Sequence, residues 1–275
     1  MGNSLVFNIV EGGFKRVGRI FKNPYKKIGI STFQFKKIKN LPDYKPQTIE
    51  FLGSRISFGS RIEFLHSIHE IFIEEIYRQK FEREDPYIID CGANIGLSVI
   101  YMKKLYPNSE IVAFEPDEAN FRYLEKNVRS FGFSYVTIFK EAIWTENIFL
   151  NFQSEGSLAS RIGEGKGNTI KVKAKRLQDL LNRQVDFLKI DIEGAEYMVL
   201  MDSRDKLHFV KNLFIEYHGT FDQNYELNEI LQMLTANGFQ FYIKQALDTY
   251  PIPFIRKKVE GFDVQLNIFC FRKQL

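Results

Sequence analysis

The sequence predicts an α/β fold: a mostly parallel sheet with helices on both faces. Three observations predict it. From residue 87 onward, short apolar runs of strand length alternate with stretches of helical periodicity, and that alternation is the signature of parallel strands joined by crossover helices. The first run, YIIDCG (87–92), ends in an acid and a glycine, as a buried strand running into a tight turn does. The tail carries two further strands, FQFYIKQ (239–245) and FDVQLNIFCF (262–271), with no helix between them, which predicts an antiparallel pair at one edge of the sheet.

Each element follows from its residues. Strand YIIDCG leads into a helix over 95–106 that Pro107 stops. EIVAFEP (110–116) is a second strand, and Asp117-Glu118 opens a helix that Gly132 closes. YVTIF (135–139), VDFLKID (185–191) and NLFIEY (212–217) repeat the strand pattern. Ahead of them, TIEFLGSRISF (48–58) reads as two short strands around Gly53-Ser54. IEFLHSIHEIFIEEIYRQKF (62–81) places Phe64, Leu65, Ile68, Ile71, Phe72 and Ile76 at helical spacing, and Asp85-Pro86 ends that element.

The chain has 275 residues, 44% hydrophobic and 26% charged, which excludes disordered and fibrous classes. No apolar run reaches the ~18 residues of a spanning helix, and the N-terminus lacks a signal-peptide layout. Val6 stands where a myristoylation pattern needs Ser or Thr. Cys91 and Cys270 make neither a disulfide framework nor a zinc site, so a reducing cytoplasm is the expected location. Charge is uneven. Residues 1–50 hold ten Lys/Arg against three Asp/Glu, and the remaining residues hold 28 against 31. Val10, Phe14, Val17 and Phe21 add a basic amphipathic stripe. These features divide the chain into a basic accessory arm (1–50), a small hairpin and helix (51–85), and the α/β domain (86–275). The arm suits an anionic membrane surface or a phosphorylated acceptor. It carries no recognised RNA module, so nucleic acid is not favoured as a partner.

Open α/β sheets bind ligands beyond the carboxyl ends of their strands. After the first strand stands Asp90-Cys91-Gly92-Ala93-Asn94-Ile95-Gly96. Gly92 allows a tight turn and Gly96 lets the helix begin close to a ligand. The spacing is neither that of dinucleotide enzymes nor a P-loop. Glu115, at the second strand end, can accept both hydroxyls of a ribose. It can also cap the next helix, although Asp117 is the better cap. Glu141, after the third strand, can accept from an adenine amino group. Adenosine contacts without a cluster of cations for phosphates point to S-adenosylmethionine.

At the fourth strand end, Asp191, Glu193 and Glu196 crowd three carboxylates into KIDIEGAE, and alternation puts Lys189, Asp191 and Glu193 on one side. Glu216 and His218 share a face at the fifth strand end. His66, His69 and His208 lie in helical patterns and read as surface or packing residues. The glycine- and serine-rich stretch 154–169 is either a substrate loop, with Arg161 facing an anionic group, or an ordinary hairpin loop. Phe72 or Tyr77, before the first strand, is placed to cover a cofactor.

DCGANIG, the FEPD strand end, EAIW, KIDIEGAE and EYH, in this order and spacing, resemble the FkbM-type methyltransferases over roughly residues 60–245. The resemblance implies the class I methyltransferase sandwich, with seven strands and an antiparallel last strand. It implies O-methylation, commonly of sugars or glycan-linked natural products. It assigns Asp90, Gly92, Asn94 and Gly96 to the methionine end of S-adenosylmethionine, Glu115 to the ribose, and Glu141 and Ala142 to the adenine side. A hydroxyl is a poor nucleophile at neutral pH, so a general base is expected. His218 is the best candidate, with Asp191 and Glu193 orienting it or binding hydroxyls alongside Glu216. A divalent metal on Asp191, Glu193, Glu216 and His218 is the alternative and is not favoured. Lipid, polyketide or nitrogen acceptors are the alternatives to a saccharide.

Overall fold

The computed structural model describes residues 23–153, 161–162, 169–255 and 261–272, with only the backbone described at 152–153, 161–162 and 169–170. The basic stripe at 10–22 lies outside the described residues. A 3-10 turn, Pro24–Ile28, opens the described chain. It starts with proline at its first position and is capped by the Asn23 side chain, which accepts from the Tyr25 N–H. Helix Thr32–Lys39 follows, with a reciprocal capping box between Ser31 and Gln34. These elements are not separate from the body. Tyr25, Ile28, Ile30 and Ile38 are buried in one apolar cluster with Phe51, Phe64, Ile88 and Ile100. Tyr25 stacks on Phe35 at 4.4 Å between ring centroids, and its hydroxyl lies 3.1 Å from His69 Nδ1. The expected boundary at residue 50 therefore cuts through a packed core.

That packing sets an expected result. Burying four such side chains contributes roughly 6–12 kcal/mol before the entropy of ordering the segment is subtracted, against a typical net stability of about 5–15 kcal/mol. A chain starting at Gln47 should melt at a clearly lower temperature than the full chain, or fail to fold. Equal melting temperatures would show that residues 23–46 are an appendage.

The hairpin consists of β1 (Gln47–Phe51) and β2 (Ser54–Phe58), antiparallel with Phe51 opposite Ser54. Its two-residue turn is Leu52-Gly53, one position earlier than the sequence suggests, with φ of 50° and 81°. Positive φ at both central residues matches the right-handed strand twist. Asn127 fixes the hairpin to the domain. Its amide donates to the carbonyls of Ser57 and Ile95, and its Oδ1 accepts from the Ser57 N–H at 2.7 Å.

Helix Arg61–Ile68 passes into a π-helical turn, His69–Glu74, and stops there rather than continuing to 81. The wider turn keeps Ile71 and Phe72 buried, and Glu75, at φ 55°, breaks the helix. The apolar residues beyond it pack as non-helical chain, with Tyr77 edge-on to Phe214 at 4.9 Å.

The domain proper comprises β3 (Tyr87–Cys91), β4 (Glu110–Phe114) and β5 (Val136–Phe139), then a small insert of β6 (Ala142–Trp144), β7 (Phe149–Gln153), β8 (Arg161–Ile162) and β9 (Thr169–Arg176). β10 (Val185–Ile190), β11 (Val210–Gly219), β12 (Phe239–Gln245) and β13 (Val264–Arg272) complete it. The main sheet has seven strands in the order β5-β4-β3-β10-β11-β13-β12. β3, β4, β5, β10 and β11 are parallel, and β13 runs antiparallel between β11 and β12. The terminal pair therefore sits at one edge, as the sequence predicts, with the last strand inside and β12 outermost. β3 and β10, at the centre, are buried at every residue. The chain order reverses between β3 and β10, so a crevice opens at their carboxyl ends. The insert forms its own sheet, in the order β6-β9-β7-β8.

Candidate active site

The crevice is a cavity of about 520 Å³ beyond the ends of β3, β10 and β11. Gly92, Ala93, Asn94, Lys189, Asp191, Glu193, Glu216 and His218 line it from the sheet. His66, Glu70 and Tyr77 close it from the N-terminal layer, and Leu247, Gly261 and Phe262 from the connection between β12 and β13.

The floor is a glycine turn held by charge. Gly92 has φ 85°, and a Cβ there would stand 1.8 Å from the Asp191 carbonyl oxygen, so the close approach of β3 and β10 requires glycine. Lys189 is buried beneath it. Its ammonium donates to the Gly92 carbonyl at 2.7 Å and lies 3.3 Å from Asp90 and 3.1 Å from Asp191. Burial alone would lower its pKa, but the two carboxylates hold it well above the usual lysine value. Asp90 also accepts from the Ser98 hydroxyl. Gly96 differs from expectation. It is the left-handed residue before helix Leu97–Leu105, and a Cβ there would meet Leu124 at 2.7 Å, so helix packing and not ligand approach demands glycine.

Glu115 is buried at the end of β4. One of its oxygens accepts from the Asn94 N–H at 2.7 Å and the other from the Asp117 N–H at 2.9 Å. Burial pushes its pKa up to about 8 against the pull of those amides. Glu115 thus shapes the glycine turn from behind, and Asp117 caps the next helix, accepting from Ala119 and Asn120. Glu141 is paired with Lys173 of β9 at 2.6 Å, and Ala142 is buried in the small insert core with Val172 and Ala174. Glu115, Glu141 and Ala142 are not among the described lining of the cavity; they stand on the β4–β6 side of the glycine turn. The Arg161 side chain and most of stretch 154–169 lie outside the described residues.

The opposite wall is a cluster of acids around one imidazole. Glu193 adopts φ 55° and Gly194 φ 97°, folding the end of β10 back on itself. Glu196, the first residue of helix Glu196–Ser203, secures this fold by accepting from the N–H groups of Ile192 and Gly194 at 3.0 Å each. The same carboxylate lies 3.3 Å from His218 Nδ1, while His218 Nε2 is 3.7 Å from Glu193 and 3.6 Å from Glu216. Phe262 packs on the imidazole with ring centroids 5.0 Å apart. Burial opposes charge on His218, yet Glu196, Glu216 and Glu193 raise its pKa well above the ordinary value. Burial and neighbouring acids push Glu193 up to about 9 and, with Glu216 and Asp191 facing it, Glu70 up to about 8. Asp191, Glu193 and His218 also place one ligand atom each within 4.8 Å of one another, a spacing able to hold a divalent cation.

The structure brings Asp90, Gly92, Asn94, Asp191, Glu193, Glu216 and His218 together, as the sequence suggests. It adds Lys189, Glu196 and Glu70 to them. Lys189 carried a signal: a lysine within an otherwise apolar buried strand needs a partner. Glu196 reads as a helix-start acid, and only the fold shows it orienting His218. Glu70 arrives from the π-helical turn and had no signal. His66, read as a surface or packing residue, lines the cavity. Phe72 packs in the core on Phe51 and Tyr101, so Tyr77 alone of that pair reaches the cavity.

Burial and mutual crowding raise the pKa values of Glu70 and Glu193 on this cavity, and a cation entering among these carboxyl groups relieves that crowding. That donor set fits S-adenosylmethionine, with its sulfonium and ammonium, and disfavours a polyphosphate.

The profile of the methyltransferase FkbM domain matches residues 90–241. The chain is 32% identical to Methyltransferase 1 of Beauveria bassiana over 184 residues, 56% of this chain and 73% of that protein. It is 27% identical to methyltransferase sdnD of Sordaria araneosa, covering 83% of this chain and 97% of that one. It is 24% identical to the 2-O-methyltransferase NoeI of Sinorhizobium fredii, covering 67% and 87%. With the profile spanning more than half of the chain over the strands that build the cavity, this protein belongs to the FkbM methyltransferase family and is an S-adenosylmethionine-dependent methyltransferase of class I fold.

Proposed function

We propose that the enzyme methylates oxygen, on a hydroxyl of a sugar or glycan-linked acceptor seated between the ends of β10 and β11. The observation that carries this reading is the His218 imidazole within reach of Glu193 and Glu216 on the cavity wall. Carboxylates so spaced accept hydrogen bonds from neighbouring hydroxyls, and the imidazole–carboxylate group takes up a proton as one unit. The name of the Sinorhizobium fredii relative supports oxygen as the acceptor atom.

The bound cofactor supplies a methyl group on a positively charged sulfur. Asp191 and Glu70 face the cavity, and a bound cation draws their carboxyl groups toward the charged form that stabilises it. A cation beside them makes it easier for His218 and Glu193 to release their protons, which arms the cluster for the acceptor hydroxyl. Glu196 holds the imidazole through Nδ1 and leaves Nε2 turned toward Glu193 and Glu216.

The test is incubation with methyl-labelled S-adenosylmethionine and a panel of nucleotide sugars, oligosaccharides, lipid-linked sugars, polyketides and amines. Label recovered as a methyl ether on a saccharide supports the reading. Label only on nitrogen, or only on a non-sugar hydroxyl, overturns it.

A further inference from the structure

The connection between β12 and β13, which borders the active-site cavity, holds apolar side chains in water. Its two ends line that cavity through Leu247 and Phe262. Its tip is the turn Ile252-Pro253-Phe254-Ile255, closed by the Ile255 N–H donating to the Ile252 carbonyl at 2.8 Å. Phe254 is 100% exposed, Ile255 70% and Ile252 60%. The loop is anchored at its base. The Tyr250 hydroxyl donates to Asp263, whose other oxygen accepts from the Phe221 N–H at 3.0 Å, and the Tyr250 ring stacks on Phe221 at 5.6 Å. Proline on each side of Ile252 restricts the backbone further. The tip is therefore a presented wedge, and an exposed apolar group of this kind marks a contact surface.

Charge identifies the occupant. The sequence after the wedge reads Arg256-Lys257-Lys258. The N-terminal layer with its excess of lysines adjoins the same side of the cavity: Lys27 donates to the Ile73 carbonyl, and Lys244, at the end of β12, lies 3.6 Å from Glu74. Apolar tips next to cations match the boundary between lipid headgroups and acyl chains. Among the described residues no helix is long and apolar enough to cross a membrane, so the contact is peripheral.

We propose that the Ile252–Ile255 turn inserts into an anionic lipid surface and seats the cavity mouth on it. Resting on the methyl-transfer reading, this implies an acceptor presented at the membrane, such as a lipid-linked glycan.

The test uses the full chain and vesicles of phosphatidylcholine, alone or with phosphatidylglycerol, read by co-sedimentation. Calorimetry with S-adenosylhomocysteine reports separately whether each variant keeps an intact cofactor site. The wild type should bind the anionic vesicles at least about tenfold more tightly than the neutral ones and lose that preference in high salt. The double variant Phe254→Asp/Ile255→Asp should bind anionic vesicles at least about tenfold more weakly, with cofactor affinity unchanged. Absence of wild-type binding, equal binding to both vesicles, or full binding by the double variant overturns the proposal. None of these readouts depends on identifying the acceptor, so failure here is distinguishable from failure of the methylation reading.

Discussion

Replacing Lys189 with methionine is expected to remove about 3–5 kcal/mol of stability, the cost of breaking a buried ion pair and leaving its partner charged. For a domain of this size that corresponds to a drop in melting temperature of roughly 6–20 °C. Asp90 and Asp191 would lose the ammonium that lies 3.3 and 3.1 Å away, and the Gly92 carbonyl its donor. The deficit should depend on pH. Without the lysine, Asp191, whose pKa burial already raises, takes up a proton more readily, so the native state of the variant binds a proton that the unfolded chain releases near pH 4. The difference from wild type should therefore be largest at pH 7.5 and should shrink as pH falls toward 5. Chemical denaturation at both pH values measures this. A variant within about 1 kcal/mol of wild type at pH 7.5 would show that Lys189 is not the charge holding the floor together.

Replacing His218 with alanine should lower kcat by about 10²–10⁴-fold, the usual contribution of a positioned acid–base group. Affinity for S-adenosylhomocysteine should stay nearly intact, because backbone groups of the glycine turn remain in place. The pH profile carries a sign. Carboxylates at 3.3–3.7 Å raise the His218 pKa, so its neutral form accumulates only above the ordinary value of about 6.5. Turnover should rise with pH through an acid limb lying above that value. Glu193→Gln removes one carboxyl group from the unit that shares the proton and should move the limb downward. A limb at or below pH 6, or one that Glu193→Gln leaves in place, contradicts the coupled-cluster reading. Turnover abolished by a chelator and restored by Mg²⁺ would instead make Asp191, Glu193 and His218 ligands of an ion that lowers the hydroxyl pKa.

Much of the fold is legible because its signals are local. The central strands are buried on both faces, so they read as continuous apolar runs, and the helices between them carry their own caps and stops. Strand ends can be counted, and an acid or histidine at a strand end is conspicuous after apolar residues. That is how Asp90, Glu115, Asp191, Glu193, Glu216 and His218 stand out. The π-helical turn at His69–Glu74 was illegible, since its apolar spacing looks helical until the backbone widens. The short strands of the insert carry no clear signal, because their alternation sits among charged and small residues.

The parallel sheet, its terminal antiparallel pair, the glycine turn and the family resemblance can all be read from residue order alone. The folded chain sets which groups share a cavity and how their charges are shifted there. It joined residues 23–46 to the core, although their basic composition suggested an arm. It set Lys189 under two aspartates, gave Glu196 the task of aiming His218, and brought Glu70 across from a different layer. It separated Glu115, Glu141 and Ala142 from the acidic wall. The physical reason is range. Periodicity, capping and turn preferences act over a few residues and are written in order along the chain. Burial and Coulomb interactions act between groups that are distant in sequence, and they take values only once the backbone has brought those groups within a few ångströms.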